Sequence, residues 1–252
     1  MKPVILCAMP ASSNFQEAIR EAQSSALVGP NVVNKALPYV GGGMVLTAGG
    51  VMGGLALLAS NPASFMPLFW VALIGNFILF LVAQNVALKA SNSTALPLRA
   101  ADSLITGFTR SGIVALAIGT AGIGAIGTAA LATGVTFVAA SVMGRRMSDS
   151  VGQALSGVVG LGILGLVIAM VVQIVGGIFV PGFGMGGMEL LIAGFGTVIF
   201  VGAAFVDFYT MPRTYSDDQY LAGALSMYLT YINLFIFILR LVIALNGGGR
   251  RD

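Results

Sequence analysis

The chain contains no histidine, one cysteine and one tryptophan, and only 8% of its 252 residues are charged. Without histidine it lacks the commonest metal ligand, the common general base and the usual switch near neutral pH. Cys7 alone permits no internal disulfide and says nothing about redox compartment. A soluble domain carries about 25% charged residues, so most of this chain does not face water. Hydrophobic residues make up 57% of it and the mean hydropathy is +0.96. Backbone polar groups inside a bilayer must pair internally, which leaves helices or a closed barrel. The apolar runs are near helix-spanning length and do not alternate with period two, so an all-α polytopic membrane protein is expected, with the lipid bilayer as its first partner. The net charge of +3 is too small for a nucleic-acid patch, and none is expected as a partner.

Three parts follow from the pattern. Residues 1–34 form the only soluble-looking segment. No secretory signal is expected, because the run PVILCAM after Lys2 is too short and a polar stretch follows. Within SSNFQEAIREAQSSALVGP, Ser13 precedes Gln16 by three and Asn14 precedes Glu17 by three, each a capping-box start. Phe15, Ile19, Ala22 and Ala26 share a face and Gly29-Pro30 stops the helix, so a short amphipathic helix is expected, with a partly ordered tail as the alternative. Residues 35–246 hold seven spans, near 36–59, 66–88, 97–117, 119–143, 151–175, 188–210 and 219–245, and residues 247–252 form a polar tail. The linkers are short, which predicts one compact bundle of antiparallel neighbours.

The positive-inside rule puts the N-terminus in the cytoplasm. Lys2, Arg20, Lys35, Lys89, Arg99, Arg145, Arg146 and Arg213 then lie inside, and the linkers 60–65 and 176–187 hold no Lys or Arg. Arg250-Arg251 disagrees; six spans with one re-entrant segment would repair the conflict. Glycines crowd the first, fourth and fifth spans, including Gly50, Gly54, Gly119, Gly127, Gly157, Gly160 and Gly165. Small residues at such spacing predict close helix packing. GIGAIG, Gly122 to Gly127, matches a dinucleotide fingerprint only formally: no strand precedes it and it sits in an apolar run.

Charges inside spans are costly and need a partner, water or a function. Asp207, near the end of the sixth span in IFVGAAFVDFYT, is a candidate proton-sensitive gate or ion ligand; pairing with Arg213 is the structural alternative. In the third span Arg99, Asp102, Thr106, Thr109 and Arg110 recur at helical steps and predict one polar stripe facing the bundle interior. A surface-lying helix is the alternative. Asp102 is expected to pair with Arg99 or with a base on another helix. In the seventh span Thr230, Asn233, Phe237 and Arg240 share a face; Asn233 is expected to bond helices together, and Arg240 to snorkel to the interface. Neither an aspartyl protease pair nor a phosphate loop is visible: GFGMGG, Gly182 to Gly187, carries no aspartate. An enzyme is not expected, and no cofactor beyond transient Ca2+.

YLTYINLFIFILRL resembles the final-helix signature of the Bax inhibitor-1 family (the transmembrane Bax inhibitor motif proteins), roughly Tyr-Leu-Asp-Ile-Ile-Asn-Leu-Phe. Tyr228, Leu229, Ile232, Asn233, Leu234 and Phe235 match it. Asp207 in FVDFYT fits the family's aspartate at the end of the sixth span, and ALATGVTFVAASVMGRRMSD resembles its run into a basic cytoplasmic loop. The resemblance implies seven helices with the last one central and wrapped by the others. Bacterial members are similar to pH-sensitive calcium leak channels, in which aspartates of the sixth and seventh spans share a proton and latch the pore. Thr230 stands at the seventh-span aspartate here, and no arginine lies inside the second span. A shared-proton latch is therefore absent as written, and Asp102, Arg99 or Arg110 are the candidate replacements. Two functions follow: a cation leak channel, with a polar cavity between the third, sixth and seventh spans, or a non-conducting regulatory or scaffold subunit of a membrane protein complex or membrane protease. A bacterial inner membrane is the expected location.

Overall fold

The computed structural model describes residues 27–180 and 187–247. Most of the expected N-terminal amphipathic helix, most of the GFGMGG turn and most of the C-terminal tail lie outside the described residues. Seven helices run α1 Val32–Ser60, α2 Pro62–Leu88, α3 Asn92–Ala121, α4 Gly124–Met143, α5 Asp149–Phe179, α6 Gly187–Thr214 and α7 Tyr220–Gly247. Each carries, alone or with the short 3-10 turn beside it, a stretch long and apolar enough to cross a membrane. At 1.5 Å per residue, 29 residues of α1 reach about 43 Å, more than the roughly 30 Å hydrocarbon core. The third span begins five residues before the expected start at 97, and the expected surface-lying alternative is replaced by a helix packed within the bundle.

Local signals set the turns. Pro62 occupies the start of α2, where its missing N–H costs nothing, and the Asn61 side chain accepts from the Ser64 N–H at 3.3 Å. Gly122, with φ of 78°, turns α3 into α4. Between α6 and α7, Ser216 and Gln219 form a reciprocal capping box around a 3-10 turn, and Gln219 Nε2 also donates to the Leu88 carbonyl at 2.7 Å. The N–H groups of Val28 and Gly29 donate to the Pro212 carbonyl at 2.9 and 3.0 Å, tying the chain before α1 to the end of α6.

The last helix is central: α7 packs against α1, α2, α3, α4 and α6. Leu225, Met227, Tyr228, Leu234 and Leu239 on it are buried. By contrast α2 and α5 turn Trp70, Val71, Phe77, Val158, Leu161 and Ile174 outward. Such a surface has no cost in hydrocarbon and would be an aggregation face in water.

The glycine expectation holds at some positions and not at others. In α1 the glycines do bring helices together: a Cβ at Gly50 or Gly54 would run into Leu104 and Ser111 of α3, and one at Gly107 of α3 would meet Thr47 of α1. Gly162 of α5 likewise packs close on Ile199 of α6, whereas Gly119, Gly127, Gly157, Gly160 and Gly165 meet nothing within 4 Å. These lie on faces turned away from the rest of the bundle, so their spacing reports small size and not packing within this chain.

The bundle has one basic end, holding Lys35, Lys89, Arg145, Arg146 and Arg213. There Arg213 Nη2 meets Asp149 Oδ1 at 3.1 Å and stacks over Tyr209 at 4.0 Å. Arg213 is thereby committed to α5, which removes the alternative in which it pairs with Asp207.

Candidate functional site

Three polar groups occupy the apolar bundle, and the expected site residues divide among them. The first joins α6 to α7. Asp207 faces Thr230, whose hydroxyl is the hydrogen-bond donor to the carboxylate. Thr230 is 8% exposed, and the Asp207 Oδ2 is shut off from solvent without a partner among the described residues. Phe208 and Ala204 beside it are buried and apolar. Tyr215, in the turn after α6, lies close enough to feel this carboxylate; burial first, and the Asp207 charge after it, push the Tyr215 hydroxyl up from its ordinary value. A lone acid with one hydroxyl neighbour can hold a proton or take part in binding a cation, but threonine cannot share the titration.

The second group is the α3 stripe, buried against α1 and α7. Arg99, Asp102, Ser103, Thr106 and Thr109 are each 9% exposed or less, which decides that the stripe points inward. Arg99 does not hydrogen-bond Asp102, which corrects one of the two expected pairings. Its Nη2 donates to the Tyr39 carbonyl at 2.9 Å and its Nη1 to the Leu221 carbonyl at 3.4 Å, pinning three helices. Asp102 feels the Arg99 charge, yet both its oxygens lack a hydrogen-bond partner among the described residues. Tyr228 closes the group: its hydroxyl lies 2.6 Å from Thr47 Oγ1, which donates onward to the Gly43 carbonyl at 2.8 Å. Asn76 of α2 donates to Thr106 Oγ1 at 2.9 Å.

These bonds, and not Asn233, tie α2 to α3 and α1 to α7. Asn233 makes no hydrogen bond among the described residues and lines a cleft instead, which corrects its expected role. The cleft is the third group. It has a volume of about 600 Å3 and runs between α2, α3, α5, α6 and α7, lined by Phe65, Phe69, Arg110, Leu166, Met170, Phe200, Asn233, Phe237 and Arg240, among others. It lies in the half of the bundle away from the basic end. This cleft is not the polar cavity expected between the third, sixth and seventh spans: it is mostly apolar, bounded by α2 and α5 as well, and without Asp207 in its wall.

Arg240 does not snorkel. Its Nε and Nη2 grip the two Glu189 oxygens at 2.7 and 2.8 Å, and Gln173 Nε2 donates to Glu189 Oε2 at 2.9 Å. A two-pronged charge pair is short and geometrically specific, and it holds the side chain inward. Glu189 and Gln173 escaped the sequence reading because each is a single polar residue near a span end. The signal available was that an intramembrane arginine requires a carboxylate, and Glu189 is the one acid in that half of the described chain. Among the described residues no cluster of three or more Cys, Asp or Glu could hold a metal ion.

Asp207 therefore faces the seventh-span position where the family signature carries its second acid. The profile of the family described as inhibitor of apoptosis-promoting Bax1 matches residues 29–247. The protein YrjE of Lactococcus lactis is 30% identical over 207 residues, covering 78% of this chain and 79% of YrjE. Bax inhibitor 1 of Schizosaccharomyces pombe is 38% identical over 55 residues, 22% of this chain and 21% of that protein. Protein lifeguard 4 of Mus musculus is 34% identical over 59 residues, 23% of this chain and 25% of that protein. The matched segments thus span about a fifth to a quarter of the yeast and mouse proteins, and most of the bacterial one. With seven spanning helices, the last packed against by five of the others, and a profile match from the start of the first to the end of the seventh, the chain belongs to the Bax inhibitor-1 family.

Proposed function

We propose that this chain is a cation leak pathway, with calcium as the ion carried, whose response to pH rests on one acid. The observation that carries this reading is Asp207 set against Thr230 at the α6–α7 contact, with one carboxylate oxygen unpartnered. A buried carboxylate changes charge on binding a proton, and a charge inside a bilayer is costly, so protonation alters the helix contact that holds it. With threonine opposite, one proton comes and goes where a pair of acids would share it. Asp102, buried and unpartnered beside Arg99, is a second acid on the path through the bundle. The basic end faces the cytoplasm of a bacterial inner membrane, by the bias of Lys and Arg toward cytoplasmic loops.

The test is calcium flux into proteoliposomes between pH 5 and 8. Wild type conducts with a pH-dependent rate, and Asp207→Asn conducts without that dependence. No flux at any pH from folded protein would reject the leak.

A second reading, a non-conducting regulatory subunit, is favoured by the open glycines of α5. Gly157, Gly160 and Gly165 present backbone to the lipid with no neighbour, which is the kind of face another membrane helix packs on. It predicts a partner membrane protein or protease that is lost when Gly157 and Gly160 are replaced by leucine.

A further inference from the structure

Arg110 lies in the cleft between α2, α3, α5 and α7, and nothing so far uses it. Its side chain is half-buried, and its Nε is shut off from solvent with no hydrogen-bond partner among the described residues. The ionisable groups nearest it are the Tyr228 hydroxyl and a second cation, Arg240, which Glu189 already neutralises. Asp102 stands two turns away along α3, about 12 Å by helical rise, in the group around Arg99 and Tyr228. The cleft thus holds one unmatched positive charge in an apolar setting, where a counter-charge is strongly stabilising.

The rest of the cleft describes the counter-ion. Phe65, Leu166, Met170 and Phe237 make its walls apolar, and Met66 and Val167 at its rim are 62% and 51% exposed on the lipid face. A ligand can therefore enter sideways from the bilayer. The volume of about 600 Å3 is that of a pocket for one drug-sized molecule, which accommodates a single chain and not a whole diacyl lipid. The headgroup is indicated by the neighbour: Arg240 satisfies its Nε and Nη2 edge with the two oxygens of a carboxylate, and Arg110 carries the same edge.

We propose that this cleft binds a long-chain fatty acid, its carboxylate on Arg110 and its chain along the apolar wall toward the lipid. The site is independent of the Asp207 gate, which lines no part of the cleft.

Spin-labelled stearic acid, added to the full chain in phosphatidylcholine nanodiscs, tests it by electron paramagnetic resonance. The expected result is a motionally restricted component that saturates at one probe per chain and is absent with spin-labelled methyl stearate, the neutral ester. Arg110→Gln weakens binding at least tenfold, and Met170→Trp, which fills the wall and leaves Arg110 in place, weakens it similarly. If Arg110→Gln does not fold, the Trp variant decides. Equal restriction of acid and ester, or unchanged affinity in the folded variants, overturns the proposal. Stronger occupancy by spin-labelled phosphatidic acid also overturns it, in favour of a phospholipid.

Discussion

Thr230 offers its hydroxyl to the carboxylate of Asp207 across the α6–α7 contact, at the place where the resemblance implies a second acid. Restoring the second acid is therefore informative. Thr230→Asp creates two carboxylates that cannot both ionise cheaply. It is expected to move the midpoint of the pH response of calcium flux, whereas Thr230→Val keeps one titrating group and changes its position less. The readout is the flux profile of the two variants in the same liposomes.

The Arg240–Glu189 pair spans α7 and α6 with two short bonds, and Gln173 adds α5. Hydrogen bonds to charged groups contribute about 1.5–3 kcal/mol, and this pair is only partly screened. Arg240→Gln and Glu189→Gln are each expected to destabilise by about 2 kcal/mol, and the double variant by less than their sum. Thermal unfolding in detergent measures the cycle.

Tyr228 and Thr47 meet at 2.6 Å within the interior. Interhelical hydrogen bonds in membrane proteins average about 0.6 kcal/mol, reaching about 1.7. Tyr228→Phe is expected to cost about 1 kcal/mol and Thr47→Val a similar amount, without adding. Additive losses would show that the two hydroxyls do not depend on each other.

Two glycines of the same type separate by position. Gly54→Leu places a side chain into Ser111 and Phe108 of α3 and is expected to prevent folding, since overpacking of this kind leaves no room to shift. Gly157→Leu meets open space and is expected to change stability by no more than about 0.5 kcal/mol. Yield of monodisperse protein by size exclusion distinguishes them.

Cys7 is the single cysteine, so the chain carries its own topology probe. With the basic end in the cytoplasm, a membrane-impermeant maleimide is expected to label Cys7 only after cells are opened. Labelling in intact cells would reverse the orientation.

Seven spans, their order and the inward stripe of α3 were legible in the sequence, because lipid leaves only helices or a closed barrel, the runs lack the barrel's alternation, and a charge within a span must turn inward. The signature around Asn233 was legible too, and it lies on the helix that packs against five of the others. Partners were not legible. Periodicity gives the face of Arg240, Arg99 or Asn233, but not what another helix sets opposite it. Only the packed bundle decided that Arg240 grips Glu189, that Arg99 reaches backbone carbonyls and leaves Asp102 unbonded, and that Asn233 faces a cleft. Those outcomes depend on the rotation of each helix about its own axis, which is set by close contacts such as Gly54 on Ser111 and not by any one span's composition.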